Sequence, residues 1–87
     1  MSTDRSPEQE LAAFGQAVSG LREQRGMSVD AFSRASRLPR GRRMSSRRIG
    51  RIEAGEVDPH YDKMIALADA LGVTVGQLVG DAEGLAG

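Results

Sequence analysis

Apolar residues recur every three or four positions along most of the chain, which is the spacing of amphipathic helices. Two such series are Leu11, Phe14, Val18 and Leu21, and Met64, Ile65, Leu67, Ala68 and Leu71. Glycines follow several of the periodic segments and are suited to end helices. No segment alternates apolar and polar residues as a half-buried strand would. The pattern therefore predicts an all-α fold of five helices joined by short turns.

The first two predicted helices have clear boundaries. The first runs from Pro7 to near Arg25, and the second starts after Ser28, a residue type that caps helix N-termini. Helix cannot continue past Ser36, because Pro39 disfavours helical backbone at the residue before it. The chain is expected to leave the helix there.

Three further helices follow this break. Their predicted N-caps are Ser45 or Ser46 for the third helix, Asp58 with Pro59 at the first helical position for the fourth, and Thr74 for the fifth. Gly50 lies inside the third helix, where glycine costs about 1 kcal/mol relative to alanine. Its presence predicts either close packing or close approach of a ligand.

Size and composition limit the possibilities for function. The 87 residues suit one small domain, expected over residues 8–80, with 1–7 a flexible tail and 81–87 fraying. Without cysteine and with one histidine, no disulfide, metal or cofactor is expected. The polar N-terminus lacks a secretory signal, and no apolar run reaches membrane-spanning length. We expect a cytoplasmic protein with no membrane contact.

Charge is distributed unevenly in a chain whose formal net charge is zero. Residues 1–30 carry −2, residues 31–52 carry +8, and residues 53–87 carry −6. The basic segment contains eight arginines and no acid: Arg34, Arg37, Arg40, Arg42, Arg43, Arg47, Arg48 and Arg51. Its attraction for a polyanion would extend over about 8–10 Å at physiological salt. Nucleic acid is the first candidate partner.

Three sequence blocks carry a family resemblance. They are Leu21-Arg22-Glu23-Gln24-Arg25-Gly26-Met27-Ser28, Ile49-Gly50-Arg51-Ile52-Glu53-Ala54-Gly55, and Ile65-Ala66-Leu67-Ala68-Asp69-Ala70-Leu71-Gly72-Val73-Thr74. In this order they resemble the phage-repressor (Cro and Xre) helix-turn-helix family over residues ~11 to 80. The resemblance implies a compact, lambda-repressor-like five-helix domain. It also implies that helix 3, about residues 45–54, enters the major groove of double-stranded DNA.

The chain departs from the family pattern in two places. Val29 stands where the family usually has glutamine, so the contact that this glutamine makes is not expected here. The separation between Ser28 and Glu53 is also about six residues longer than is usual in the family. The surplus falls around residues 37–42, so the turn between helices 2 and 3 is enlarged and rich in arginine.

The resemblance places Ser45, Ser46, Arg47, Arg48 and Arg51 on or beside the N-terminal part of the recognition helix. We expect Arg47 and Arg48 to read bases, because a guanidinium group can donate two hydrogen bonds to guanine. Ser45 and Arg51 are expected to contact phosphates. The alternative is that these side chains only coat a solvated helix face.

The enlarged turn offers a second candidate contact. Pro39-Arg40-Gly41-Arg42-Arg43 is similar to the core of an AT-hook, in which arginines extend along a narrow A·T-rich minor groove. The alternative is a disordered loop that touches phosphates without sequence preference. Both interpretations make Arg40, Arg42 and Arg43 DNA-binding residues.

Glu53 invites a catalytic interpretation, because it is an acid beside arginines. The family pattern instead makes it the structural ion-pair partner of Arg22 in the first helix. His60 stands alone, and no nucleotide-binding glycine loop is present. We therefore expect no enzymatic activity.

The leading hypothesis is a sequence-specific transcriptional regulator, and specifically a repressor, that binds double-stranded DNA. One monomer offers a small interface, so a homodimer on palindromic half-sites about 10 bp apart is expected. Val75, Leu78 and Val79 on the last helix are candidate dimer contacts. The alternatives are an antitoxin that regulates its own toxin–antitoxin operon, an adaptor that binds a protein partner, and an RNA-binding protein.

Overall fold

The computed structural model describes residues 6–86, which form five α-helices and one short 3-10 turn. The helices are α1 (Pro7–Gln24), α2 (Val29–Ala35), α3 (Ser46–Glu53), α4 (Tyr61–Leu71) and α5 (Val75–Ala86), and the 3-10 turn is Pro39–Gly41. The only β-type pairing within residues 6–86 is one isolated bridge between Arg37 and Arg43. The predicted all-α fold of five helices is confirmed.

The core forms where α1 packs against α3, α4 and α5. Its largest fully buried apolar side chains come from every helix and from the segment before α3: Val18, Phe32, Met44, Ile49, Ile52, Leu67, Leu71 and Leu78. Burying each such side chain contributes about 1.5–3 kcal/mol. Most residues of the apolar stripes seen in the sequence therefore face this core, whereas Ile65 is 40% exposed.

Side chains cap most of the helix starts. The Ser28 hydroxyl accepts a hydrogen bond from the Ala31 amide at 3.1 Å, and the Ser45 hydroxyl accepts one from the Arg48 amide at 3.1 Å. Thr74 and Gln77 form a reciprocal capping box, with bonds of 3.0 and 2.7 Å. Each cap satisfies amides that have no partner inside the helix. The predicted caps Ser28, Ser45 and Thr74 are confirmed.

The start of α4 differs from the prediction. Its N-cap is His60, which makes no side-chain capping bond, and the helix begins at Tyr61 rather than at Pro59. Pro59 is buried, and the backbone of His60 is extended. The expected Asp58–Pro59 start is wrong, because Pro59 is buried in the segment before the helix instead of opening the helix.

Both ends of the domain reach further than predicted. Helix α5 continues to Ala86 and Ala82 is buried in the core, so the last helix extends beyond residue 80, and fraying of residues 81–86 stays a prediction. At the other end, Ser6 and Gln9 form a capping box that starts α1. Residues 6 and 7 therefore belong to the domain, whereas residues 1–5 of the predicted tail and residue 87 lie outside the described residues.

Within residues 6–86, no single helix is both long enough and apolar enough to cross a membrane. Helices α4 and α5 reach that length and composition only as a pair, and the pair is bent by 93°.

Candidate nucleic-acid interface

Helix α3 has one buried face and one exposed, cationic face. Ile49 and Ile52 are 0% and 1% exposed and fix the helix against the core. Arg47, Arg48 and Arg51 lie on the exposed side. Residues three and four apart share a helix face, so the helical period places the isoleucines on one face of α3 and the arginines on another. The rotation of α3 about its axis is therefore set by its apolar residues.

The exposed arginines of α3 meet in one surface cleft. The cleft has a volume of about 190 Å³ and is lined by Ser45, Arg47, Arg48, Arg51 and Val57. It extends along the exposed face of α3, from the N-cap Ser45 to Arg51 in the last turn, and its guanidinium groups favour an anion. No carboxylate is among the lining residues. Four of the five residues predicted for this helix are thus brought together in a site suited to a phosphate or a base edge.

Ser46, the fifth predicted residue, has a different environment. It is half-buried, and its hydroxyl donates a hydrogen bond of 2.7 Å to the carboxylate of Asp30. This bond joins the start of α2 to the start of α3 and uses the hydroxyl proton of Ser46 within the protein. The position of Ser46 therefore suits orientation of α3 better than contact with DNA. Sequence reasoning did not find this role of Asp30, because the two residues are sixteen positions apart.

The enlarged turn is a folded hairpin, which we call the arginine hairpin (residues 36–44). The Met44 amide donates to the Ser36 carbonyl at 3.0 Å, and the Leu38 amide donates to the Arg42 carbonyl at 2.5 Å. At the tip, the Gly41 amide donates to the Leu38 carbonyl at 3.2 Å. The expectation of a disordered loop is therefore wrong for this segment, because its own backbone bonds close it.

Buried groups fix the base of the arginine hairpin. Met44 is 1% exposed, and its carbonyl accepts a bond from the buried Ser33 hydroxyl at 2.5 Å. The Ser36 side chain is also buried and donates to the Phe32 carbonyl at 2.7 Å. Met44 immediately precedes Ser45, the N-cap of α3. The hairpin and α3 are therefore anchored at the same point of the core.

The arginines of the basic segment are available for an external partner. All eight are exposed, and none forms an ion pair with any of residues 6–86. Their polar contacts include one long bond of 3.4 Å from the Arg37 guanidinium to the Gly41 carbonyl. The positive charge predicted from the sequence is thus exposed and is not compensated by ion pairs within residues 6–86, so it can attract a polyanion.

An ion pair joins the C-terminal end of α3 to α1. Nε of Arg22 lies 2.7 Å from Oε2 of Glu53, and Nη2 of Arg22 lies 3.2 Å from Oε1. The same guanidinium donates to the Met27 carbonyl at 2.8 Å. The hydrogen bond that Arg22 donates to Glu53 raises the pKa of Arg22 above its ordinary value. Since the two side chains are only 13% and 11% exposed, Glu53 is engaged as a partner of α1 and not as an acid in an open site.

Glycines settle two further questions about α3. A Cβ atom on Gly15 of α1 would lie 2.5 Å from the Ile52 carbonyl oxygen, so the α3 backbone packs directly on α1 at this point. Sequence reasoning did not identify Gly15. A Cβ atom on Gly50 would meet nothing within 4 Å, so close packing does not explain that glycine. Of the two explanations predicted for Gly50, close approach of a ligand is the one that remains.

Comparison with known proteins adds a family and a fold. A family model described as a helix-turn-helix domain matches residues 13–79. Two crystal structures of the clp gene regulator ClgR from Corynebacterium glutamicum are similar to this chain. One has a TM-score of 0.78 at 20% identity and covers 100% of both chains. The other has a TM-score of 0.76 at 23% identity and covers 86% of this chain and 73% of that chain. No curated protein matches.

Proposed function

This chain belongs to the helix-turn-helix domain family, and we propose that it is a transcriptional regulator that binds double-stranded DNA through α3. The observation that carries the proposal is the cleft on the exposed face of α3, where Ser45, Arg47, Arg48 and Arg51 converge without a carboxylate. The N-terminal residues of a recognition helix are the ones that reach base edges in the major groove. The cationic end of α3 is therefore the reading end.

The polar residues in and beside the cleft have three different roles in this proposal. Arg47 and Arg48 donate paired hydrogen bonds to guanine O6 and N7, and each such contact contributes about 1–3 kcal/mol of discrimination against a wrong base. Ser45 and Arg51 hold phosphates, together with the free amides of the first helical turn. Ser46 orients α3 through its bond to Asp30.

The regulator acts as a homodimer and as a repressor in this proposal. A single domain of this kind buries about 600–1,000 Å² on DNA, which is small for tight specific binding. Two copies on palindromic half-sites about 10 bp apart would double the interface. The predicted dimer contact at Leu78 is wrong, because Leu78 is fully buried inside the domain, whereas Leu85 on the same helix is 54% exposed.

Selection of bound sequences from a random duplex pool at physiological salt tests the proposal. The expected result is an enriched palindromic motif with guanines at fixed positions in each half-site. The double variant Arg47→Ala, Arg48→Ala serves as the control, because both residues are exposed and their loss should leave the fold intact. That variant should enrich no motif and should retain only salt-sensitive binding.

Failure of the selection has a clear meaning for the alternatives. If the unaltered protein enriches no duplex motif, sequence-specific DNA binding is refuted. Preference for RNA of matched length would then favour the RNA-binding alternative. A stable complex with a small co-expressed toxin, together with an enriched motif, would identify the regulator as an antitoxin.

A further inference from the structure

We propose that the arginine hairpin (residues 36–44) is a preformed wing that clamps DNA phosphates beside the base pairs read by α3. The inference rests on the proposed function and adds a second DNA contact of different chemistry. The α3 cleft reads bases, whereas the hairpin supplies charge to the backbone at a fixed position next to it. The hairpin therefore raises affinity for any duplex and contributes little to base preference.

The backbone of the hairpin decides between a phosphate clamp and an AT-hook. An AT-hook needs an extended chain that can lie along the floor of the minor groove. Here Pro39–Gly41 is a 3-10 turn, and bonds from the Leu38 and Gly41 amides close the tip. Extension would break both bonds and draw the turn open. The folded hairpin instead leaves Arg40, Arg42 and Arg43 exposed, which suits contacts to phosphates.

The tip of the hairpin carries a conformational cost that the protein itself does not explain. Arg40 has a φ of 69°, and it is the only non-glycine with positive φ among residues 6–86. Arg40 is exposed and makes no ion pair with any of residues 6–86. Strained backbone of this kind concentrates at binding sites and switch regions. An arginine held in this conformation at an exposed tip is consistent with a residue preorganised for a partner.

The base of the hairpin holds the hairpin at a fixed position relative to α3. Met44 is held on both sides, through its amide by the Ser36 carbonyl and through its carbonyl by the Ser33 hydroxyl. Because Ser45 follows directly and caps α3, movement of the hairpin base would also disturb the recognition helix. The wing and α3 therefore form one unit, and binding does not require the hairpin to be ordered first.

A charge experiment tests whether the hairpin contacts phosphates. The triple variant Arg40→Gln, Arg42→Gln, Arg43→Gln should reduce the slope of log affinity against log salt concentration by about 2–3. Between about 50 and 200 mM salt, its affinity for duplex DNA should then change by a factor roughly 40-fold smaller than that of the unaltered protein. A matched pair, Arg42→Gln and Arg34→Gln, separates the hairpin from the rest of the basic segment. Arg42→Gln should lower affinity more than Arg34→Gln. Equal losses for this pair would overturn the proposal in favour of a diffuse basic surface.

A second experiment changes hairpin geometry and leaves its charge intact. Gly41 has a φ of 79°, and a Cβ atom there would meet nothing within 4 Å, so a substitution acts through backbone conformation alone. Gly41→Val should loosen the tip and weaken duplex binding about tenfold. Gly41→Asn should restore most of the affinity, because asparagine tolerates left-handed backbone. Wild-type affinity of Gly41→Val would show that a flexible charged loop suffices and would overturn the preformed wing.

The outcomes separate failure of the wing from failure of the proposed function. If hairpin variants bind normally while Arg48→Ala loses the selected motif, the wing is overturned and the regulator stands. If neither set of variants affects duplex binding, both are overturned. If the triple variant loses a preference for A·T-rich flanks, the hairpin enters the minor groove and the phosphate clamp is overturned.

Discussion

The two ends of α3 use arginine in opposite ways. At the C-terminal end, Arg22 from α1 is paired with Glu53 through two bonds, and the pair is largely buried. At the N-terminal end, Arg47 and Arg48 are exposed and have no ion-pair partner among residues 6–86. One helix about 12 Å long thus carries a compensated charge at one end and uncompensated charges at the other.

This difference separates stability from binding. A guanidinium group that is bonded to a carboxylate inside the protein holds the fold together and has little left to offer a ligand. An exposed guanidinium group adds little to stability but keeps its full donor capacity for a polyanion. Substitution of Glu53 should therefore affect melting, and substitutions of Arg47 and Arg48 should affect binding.

The largest expected effect is at Glu53. Glu53→Ala removes the close carboxylate partner of Arg22, whose side chain is only 13% exposed, and leaves only the longer 3.9 Å contact with Glu23. We expect a loss of about 3–5 kcal/mol of unfolding free energy. Thermal or urea unfolding followed by circular dichroism measures this loss. Glu56→Ala is the matched control, because Glu56 is exposed, and it should change stability by less than about 0.5 kcal/mol. Normal melting together with lost DNA binding in Glu53→Ala would contradict the assignment.

The next largest effect concerns the helix crossing that supports α3. Gly15→Ala would place a Cβ atom 2.5 Å from the Ile52 carbonyl oxygen, and we expect destabilisation of about 2–3 kcal/mol. Gly20→Ala on the same helix meets nothing within 4 Å and should stabilise the domain by about 1 kcal/mol. Urea midpoints of the two variants provide the comparison. Similar midpoints would mean that α1 and α3 do not cross at Gly15.

A smaller effect is expected at Gly50, on the exposed side of α3. Gly50→Ala and Gly84→Ala on α5 both add a Cβ atom that meets nothing within 4 Å, and each should stabilise its helix by about 0.5–1 kcal/mol. Only Gly50→Ala should weaken duplex binding, because its methyl group would stand between α3 and the groove. Equal binding by the two variants would show that DNA does not approach Gly50.

The smallest expected effect is that of pH on the Arg22–Glu53 pair. Glu53 raises the pKa of Arg22, so the stability that this shift contributes is complete below the ordinary pKa of arginine and is lost only as pH rises through the raised value. The coupling energy from a double-mutant cycle should therefore be the same at about pH 7 and about pH 9. A coupling that falls over this interval would mean that a group other than Arg22 titrates with the pair.

Local features could be predicted from sequence, and contacts between distant segments could not. The caps Ser28, Ser45 and Thr74 depend on a few neighbouring residues, so the spacing of those residues along the chain was sufficient to predict the caps. The predicted start of α4 was wrong because the Asp58–Pro59 capping signal competes with burial of Pro59, and that burial depends on the whole fold.

The candidate site divides in the same way. The cationic face of α3 follows from the helical period of Arg47, Arg48 and Arg51. The bond between Ser46 and Asp30 and the anchoring of Met44 by Ser33 join residues of different elements and left no signal in the spacing. The Arg22–Glu53 pair was expected only because of the family resemblance, since its members lie thirty-one positions apart.

The most direct test of the account compares melting and DNA binding in the double variant Arg47→Ala, Arg48→Ala. Its melting temperature should match that of the unaltered protein, because neither side chain has an ion-pair partner among residues 6–86. Its affinity for the selected duplex should fall to that for a scrambled duplex of the same length. Retention of the preference for the selected duplex, with the fold intact, would contradict the claim that the N-terminal end of α3 reads DNA.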